Sequence, residues 1–454
     1  MRIKVWLSIL LCISMLAGCS FSFGSPLDSL GMAKESDQDT LGLTPDFSYT
    51  TPKQTPNILV NQIGYLPEES KVAILQGNGL DTFFGVYDAA TNQPIFAGTL
   101  KEARISVYQK ENRKGEERET LYLADFSSLK KEGSYYLYQK NLGYSDIFVI
   151  QEGAYVSLEV SLLDRLALDN RDTSSLCYQL AGILLTLELY PEKILEPERL
   201  QRVLKEKIEL LSLAQDEKTG SVYEVIPQET EAQAISLAAT AEFAGVMAMY
   251  ANYLQATDIT AATQAQLSAE RAFSSIRGSL DNVSYDAGYF AVTQLFKKTG
   301  RARYSQAIGQ YLGMKEEAKS YTRYDFSLFG DYAYLSCKYS TNMEWNKQLM
   351  NKVMKQAETI SLTSGKDNYY VSGVRDFYDV EGMLKDMSVM ALVNYIITNH
   401  EYSTLQKNYR DYFLGRNPDA VCLAEGFGKR NLQNGEGVSQ GDAALLYLLL
   451  QSTK

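Results

Sequence analysis

The chain has 454 residues, 45% of them apolar, which is enough for a large core and two or three domains. Its formal net charge of −11 argues against nucleic acid or an anionic membrane surface as partner, since both need clustered Lys and Arg. With one histidine, His400, it lacks the material for a Ser-His-Asp triad or a His-rich metal site.

The N-terminus places Arg2 and Lys4 before an apolar run, Val5–Leu16, too short for a permanent membrane span. Leu16-Ala17-Gly18-Cys19 follows and resembles a bacterial lipobox. The resemblance implies cleavage before Cys19, lipidation of its thiol, and an extracytoplasmic protein held on the cell membrane by a lipid anchor. A plain secretory signal is the alternative. Residues 1–18 are therefore read as a signal peptide, and residues 19–56, rich in Ser, Thr, Gly, Pro and Asp, as a flexible tether. The remaining cysteines, Cys177, Cys337 and Cys422, are scattered and odd in number, so they read as small buried hydrophobes and not as a disulfide framework.

Residues 57–151 have the grammar of strands. Ile58-Leu59-Val60, Lys71–Leu75, Phe83–Tyr87, Gly133–Tyr138 and Asp146–Ile150 are short β-rich runs divided by turn residues, a pattern that predicts a β-sandwich. From Ala154 to the end the apolar period lengthens to about 3.6. Leu180–Leu189, Ile235–Tyr253, Tyr289–Lys297, Tyr332–Lys338, Met383–Ile397 and Ala443–Leu450 are helix candidates. Periodicity leaves two arrangements open, a barrel of helical hairpins or a helical solenoid. The absence of a fixed-period repeat weighs against a regular solenoid. The stretch Asp411–Gly428 ends a helix at Gly415, breaks at Asn417-Pro418-Asp419 and turns again at Gly426-Phe427-Gly428.

Leu414-Gly415-Arg416-Asn417-Pro418-Asp419 followed by Gly426-Phe427-Gly428 resembles the late signature of family 9 glycoside hydrolases, the endoglucanase-type cellulases. Val60-Asn61-Gln62-Ile63-Gly64-Tyr65-Leu66-Pro67, with Ala124–Leu129 and Gly133–Leu137, resembles the Ig-like module that precedes many family 9 catalytic domains. Gln215-Asp216 with Gly220-Ser221-Val222-Tyr223, Ala238–Ala244, Phe290-Ala291-Val292 and Asp331–Leu335 follow in the family's order. The resemblance implies an N-terminal Ig-like β-sandwich (57–151) followed by an all-α (α/α) six-hairpin barrel (154–454). It also implies hydrolysis of a β-1,4-linked glucan or related exopolysaccharide.

Inverting hydrolysis needs one carboxylate to activate water and one carboxylic acid to protonate the leaving oxygen, roughly 6.5–9.5 Å apart. By family position, Asp169-Asn170-Arg171-Asp172 stands for the base motif, with Asp172 as base and Asp169 as its partner. Asp172 is equally suited to cap the helix that follows. Glu436, seven residues before Ala443, is the candidate acid. Arg430 is a candidate sugar clamp, in place of the His-His-Arg segment that the family carries and this chain lacks. Tyr223, Tyr369, Tyr370 and Tyr378 are candidate sugar platforms or ordinary core and surface tyrosines. The one tryptophan beyond the signal segment, Trp345, predicts a short or modified cleft. No metal motif and no cofactor motif appears. The expected partner is a β-glycan or oligosaccharide. The alternative function is a catalytically degenerate glycan-binding or scaffolding lipoprotein of an envelope polysaccharide system.

Overall fold

In a computed structural model the described residues are 49, 52, 54–108, 117–228, 234–366, 369–371, 379–397, 400–430 and 440–454. The N-terminal part is a β-sandwich. One sheet runs β1(Ile58–Leu59), β2(Val72–Gln76), β6(Glu117–Asp125), β5(Lys101–Tyr108). The other runs β4(Pro94–Thr99), β3(Phe83–Asp88), β7(Gly133–Gln139), β8(Gly143–Tyr144), with β9(Phe148–Ile150) also on β7. The pairings between these strands are antiparallel.

The period of two sorts the side chains into layers. Along β1 and β2, Ile58, Ala73 and Leu75 face the sandwich interior with Phe84, Val86 and Leu137. Their neighbours Leu59 and Ile74, joined by Leu121, face the opposite way into the helical core. One apolar core thus passes from the first sheet into the helices. The far face of the second sheet is also covered, by a tyrosine cluster of Tyr87, Tyr136 and Tyr144 on which Tyr49 packs, 4.5 Å from the Tyr136 ring.

The helical part is α1(Val156–Ala167), α2(Thr173–Leu189), α3(Pro197–Ser212), α4(Leu237–Leu254), α5(Ile259–Ile276), α6(Tyr285–Thr299), α7(Ala302–Leu312), α8(Ser327–Leu335), α9(Met343–Ser364), α10(Val380–Ile396), α11(Ser403–Phe413) and α12(Gln440–Ser452). The even-numbered helices each contact the next, and α12 returns to α2, which closes an inner ring. The odd-numbered helices lie outside it, so six hairpins form an (α/α) barrel. Composition explains the two rings. α4, LAATAEFAGVMAMYANYL, is apolar on almost every side and is buried; α3, PERLQRVLKEKIELLS, has one apolar stripe. Aromatic rings fill the centre: Tyr178 stacks on Tyr324 at 5.1 Å and meets Phe326 edge-on at 5.4 Å.

The two parts are clasped by the stretches that carried the sequence resemblance. Gln62 donates from its backbone to Leu414 O (2.8 Å) and from its amide to Ala420 O (2.5 Å), and accepts from Lys429 N (2.8 Å). Gly415 and Gly428 have φ of +118° and +74°, in the region that favours glycine. A Cβ on Gly415 would lie 2.6 Å from the Gln62 amide nitrogen, and one on Gly428 2.7 Å from its oxygen. Asn61 donates to Asp411 (3.0 Å), and Arg416 reaches Val72 O (3.0 Å). Beneath them Arg410, 1% exposed, pairs with Glu69 (2.8 Å) and Asp411 (2.9 Å) and lies 4.8 Å over the Tyr155 ring.

Candidate functional site

Inner helices of a hairpin ring run in one direction, so their N-termini gather at one rim of the barrel. Sequence has put capping groups there, and unpaired N–H groups and helix dipoles make it an electropositive setting for carboxylates. Asp172 caps α2, accepting from Ser175 N at 2.6 Å. Ser236 caps α4 through Ala239 N (3.2 Å) and Asp379 caps α10 through Gly382 N (2.9 Å). Asp286, in the first turn of α6, is buried and fully occupied by Thr322 N (2.8 Å), Thr322 Oγ1 (2.5 Å) and Phe326 N (3.0 Å). It therefore pins the loop that leads into α8.

Asp172 realises the capping alternative and remains solvent-exposed. A short backbone pairing holds its segment: Thr173 N donates to Glu224 O (3.1 Å) and Ile226 N to Arg171 O (2.9 Å). Asp169 is exposed and paired with Arg171 Nε at 3.3 Å. The two carboxylates of the expected base motif thus stand in one exposed turn with different partners. Glu436 and Tyr378 lie outside the described residues, as does Cys19.

Three other sequence expectations meet other geometry. Arg430 is not open for a sugar: its guanidinium ion-pairs with the buried Asp146 and donates to Pro52 O (3.0 Å) and Gln54 O (2.9 Å). It is part of the clasp between sandwich and barrel. Tyr223 gives its hydroxyl to Asp216 Oδ2 (2.9 Å). Asp216 also accepts from Thr219 N and Oγ1, and these bonds, the backbone one first, pull its pKa down to about 2. Tyr369 is buried and accepts from Gln76 Nε2 (2.6 Å), so it is a joint residue and not a platform. Trp345 sits in the first turn of the outer helix α9, against Gly309 of α7.

The residue that sequence reasoning missed is Glu242. It lies in α4, fully buried, and neither carboxylate oxygen has a hydrogen-bond partner among the described residues. Ser174 and Thr322 approach it without reaching hydrogen-bond geometry. Burial pushes its pKa up to about 8, and the charges of Asp286 and Asp172 add to the rise. It is a neutral acid at pH 7, set behind the rim between the α2 cap and the Asp286 anchor. A lone acid in an Ala-rich helix carries no pattern, and the groups around it stand tens of residues away in sequence. Among the described residues no group of three His, Cys, Asp or Glu side chains is placed to hold a metal.

Comparison with known proteins finds a match in each of the two parts. Residues 53–143 match the cellulase N-terminal ig-like domain, and residues 214–436 match glycosyl hydrolase family 9. Asp169 and Asp172 precede the second match; Glu436 is its last residue. Endoglucanase D of Acetivibrio thermocellus is 35% identical over 98 residues, 22% of this chain and 14% of its own length. Among solved structures, a metagenome-derived glycoside hydrolase family 9 endoglucanase superposes with a TM-score of 0.68 at 18% identity, over 83% of this chain and 86% of its own. The Bacteroides ovatus GH9 structure gives 0.68 at 15%, over 87% and 98%. AaCel9A, solved with cellobiose-like isofagomine, gives 0.69 at 18%, over 86% and 87%. These likenesses are of fold.

Proposed function

We propose that this chain, an ig-like sandwich clasped to a barrel that matches glycosyl hydrolase family 9, hydrolyses a β-1,4-linked glucan or related exopolysaccharide with inversion. The observation that carries the reading is the family match from residue 214 to Glu436, on a ring whose N-terminal rim presents an exposed Asp172. In this reading Asp172 takes a proton from water as the water attacks the anomeric carbon. Asp169 helps orient the water, and Glu436 gives its proton to the leaving oxygen. Ahead of Tyr49, which packs on the sandwich, the stretch from a lipidated Cys19 acts as a tether that holds the enzyme on the outer side of the cell membrane.

The test is release of reducing ends from soluble β-glucans and cello-oligosaccharides by the full chain. Asp172→Asn keeps the helix cap, because asparagine caps as well as aspartate. It should therefore leave the melting temperature in place while lowering turnover by about 10²–10⁴-fold, the usual share of a general base. Glu436→Gln should do the same. Turnover that survives both substitutions sinks the assignment of roles. Oligosaccharide binding with no turnover in the unmodified chain would favour the second reading, a glycan-binding lipoprotein. The cap taken by Asp172 is the observation that keeps this second reading in play.

A further inference from the structure

The chain ahead of β1 is bound to the molecule at two points. Tyr49 lies on the far face of the second sheet, with its ring 4.5 Å from Tyr136 and edge-on to Tyr144 at 5.4 Å. Its hydroxyl donates to Ser145 O (3.2 Å). The ring covers apolar surface of the tyrosine cluster beneath it. Further along, Pro52 O and Gln54 O both accept from one nitrogen of Arg430, at 3.0 and 2.9 Å. The Lys429 ammonium stands 5.9 Å from the centre of the Tyr49 ring, within cation–π reach. A packed ring at one end and two backbone carbonyls on a guanidinium at the other are independent holds on the same short segment.

Both holds converge on one turn of the barrel. Arg430 also ion-pairs with Asp146, which is 1% exposed, and its carbonyl accepts from Cys422 N (2.8 Å). Lys429 N and Arg430 N donate to Gln62 Oε1 at 2.8 and 3.3 Å. A guanidinium is planar and its donors are fixed in direction, so a carboxylate on one nitrogen and two carbonyls on another set its orientation. The sandwich supplies part of this seat through Gln62 and Asp146; residues 52 and 54 supply the rest. Without them the fork keeps Asp146 but loses two acceptors, and water gains access to the ion pair and weakens it. From this turn the chain runs on to Glu436.

We propose that residues 49–54 are a strap that holds the 429–430 turn in place for turnover, so that the segment leading into the sandwich is a positioning element of the barrel. The link to turnover rests on the reading of Glu436 as the acid; the seating of the strap rests on its contacts. Limited trypsin digestion of the full chain reads the seat, because Lys53 falls inside the strap and Lys34 well before it. The bond after Lys34 should be cut about tenfold faster than the bond after Lys53, since cleavage follows the population of the open segment. Tyr49→Ala should bring the two rates together and speed hydrogen exchange at the Cys422 and Lys429 amides. It should also lower kcat about tenfold with KM unchanged, the mark of a misplaced group and not of lost binding. Tyr49→Phe, which keeps the ring, should restore all three readings. Arg430→Met should release the strap as Tyr49→Ala does, and Tyr49→Ala decides the matter if Arg430→Met lowers the melting temperature. Equal cutting after Lys34 and Lys53 in the unmodified chain overturns the proposal. In an active chain, so does a Tyr49→Ala variant with a released strap and unmodified exchange or kcat. If the unmodified chain turns over no β-glucan while Tyr49→Ala still loosens both amides, the hydrolase reading falls and the hold of the strap on the turn is supported.

Discussion

Glu242 sets the clearest expectation at the scale of a residue. Its pKa rises from the ordinary glutamate value of 4.5 to about 8 in the fold. Below about pH 4.5 it is neutral in both states. Between 4.5 and 8 the unfolded chain releases a proton that the folded chain keeps, so the fold loses stability as pH rises through this window. At pH 7 the penalty is on the order of 3 kcal/mol. Glu242→Gln, which is neutral at every pH, should flatten the decline of melting temperature between pH 4.5 and 8. A parallel pH profile in both proteins would mean that Glu242 is not a buried neutral acid. Nothing in the one-dimensional sequence marks it, because its burial depends on residues from α2 and the loop before α8.

At the scale of elements, the six helix candidates read from sequence are the six inner helices, and of the outer ones only the end of α11, before Gly415, was read. The inner helices are apolar on nearly all sides, so even a fragment such as Tyr332–Lys338 registers. The true element there, Ser327–Leu335, is displaced because Asp286 fixes the preceding loop and lets the helix begin earlier. Outer helices show one stripe among many charges, as in PERLQRVLKEKIELLS, and a short window sees mainly the charges. In the sandwich, β4, β5 and β6 were missed for a related reason. They include runs such as KEARISVY and ERETLYLAD, whose polar residues hide the alternation. The Gly415 turn was legible as a helix stop, yet its partner was not: only the fold brings Gln62 beneath it. Gly415→Ala should cost about 2 kcal/mol, since it adds strain at a positive φ and a clash with Gln62. Chemical denaturation should read this as a lower midpoint. Pairing it with Gln62→Ala should recover part of the loss, because the clash disappears; a strictly additive double variant would refute the contact.

For the whole molecule, the continuous core and the clasp imply one folding unit. Calorimetry of the full chain should give a single transition; two separated transitions, one for each part, would contradict it. Arg410→Met leaves the buried Glu69 without its cation and Asp411 with Arg416 alone, at 3.6 Å, and should cost roughly 3–5 kcal/mol while the rim carboxylates stay in place. The change from strands to helices could be read from the switch of period near residue 154, and the barrel from the resemblance. The interlock could not, because Arg430 stands 284 residues from Asp146 and Asn61 stands 350 from Asp411.

Each half of the clasp is written in a different domain, so neither domain is a free cassette. A barrel transplanted from a relative would meet Gln62, Val72 and Asp146 with its own residues at the positions of Gly415, Arg416 and Arg430. One added methyl at the first position would stand 2.6 Å from the Gln62 amide nitrogen and force that side chain to move. A chimera cut between residues 151 and 154 must therefore keep Gln62 and Asp146 on one side and Gly415, Arg416 and Arg430 on the other.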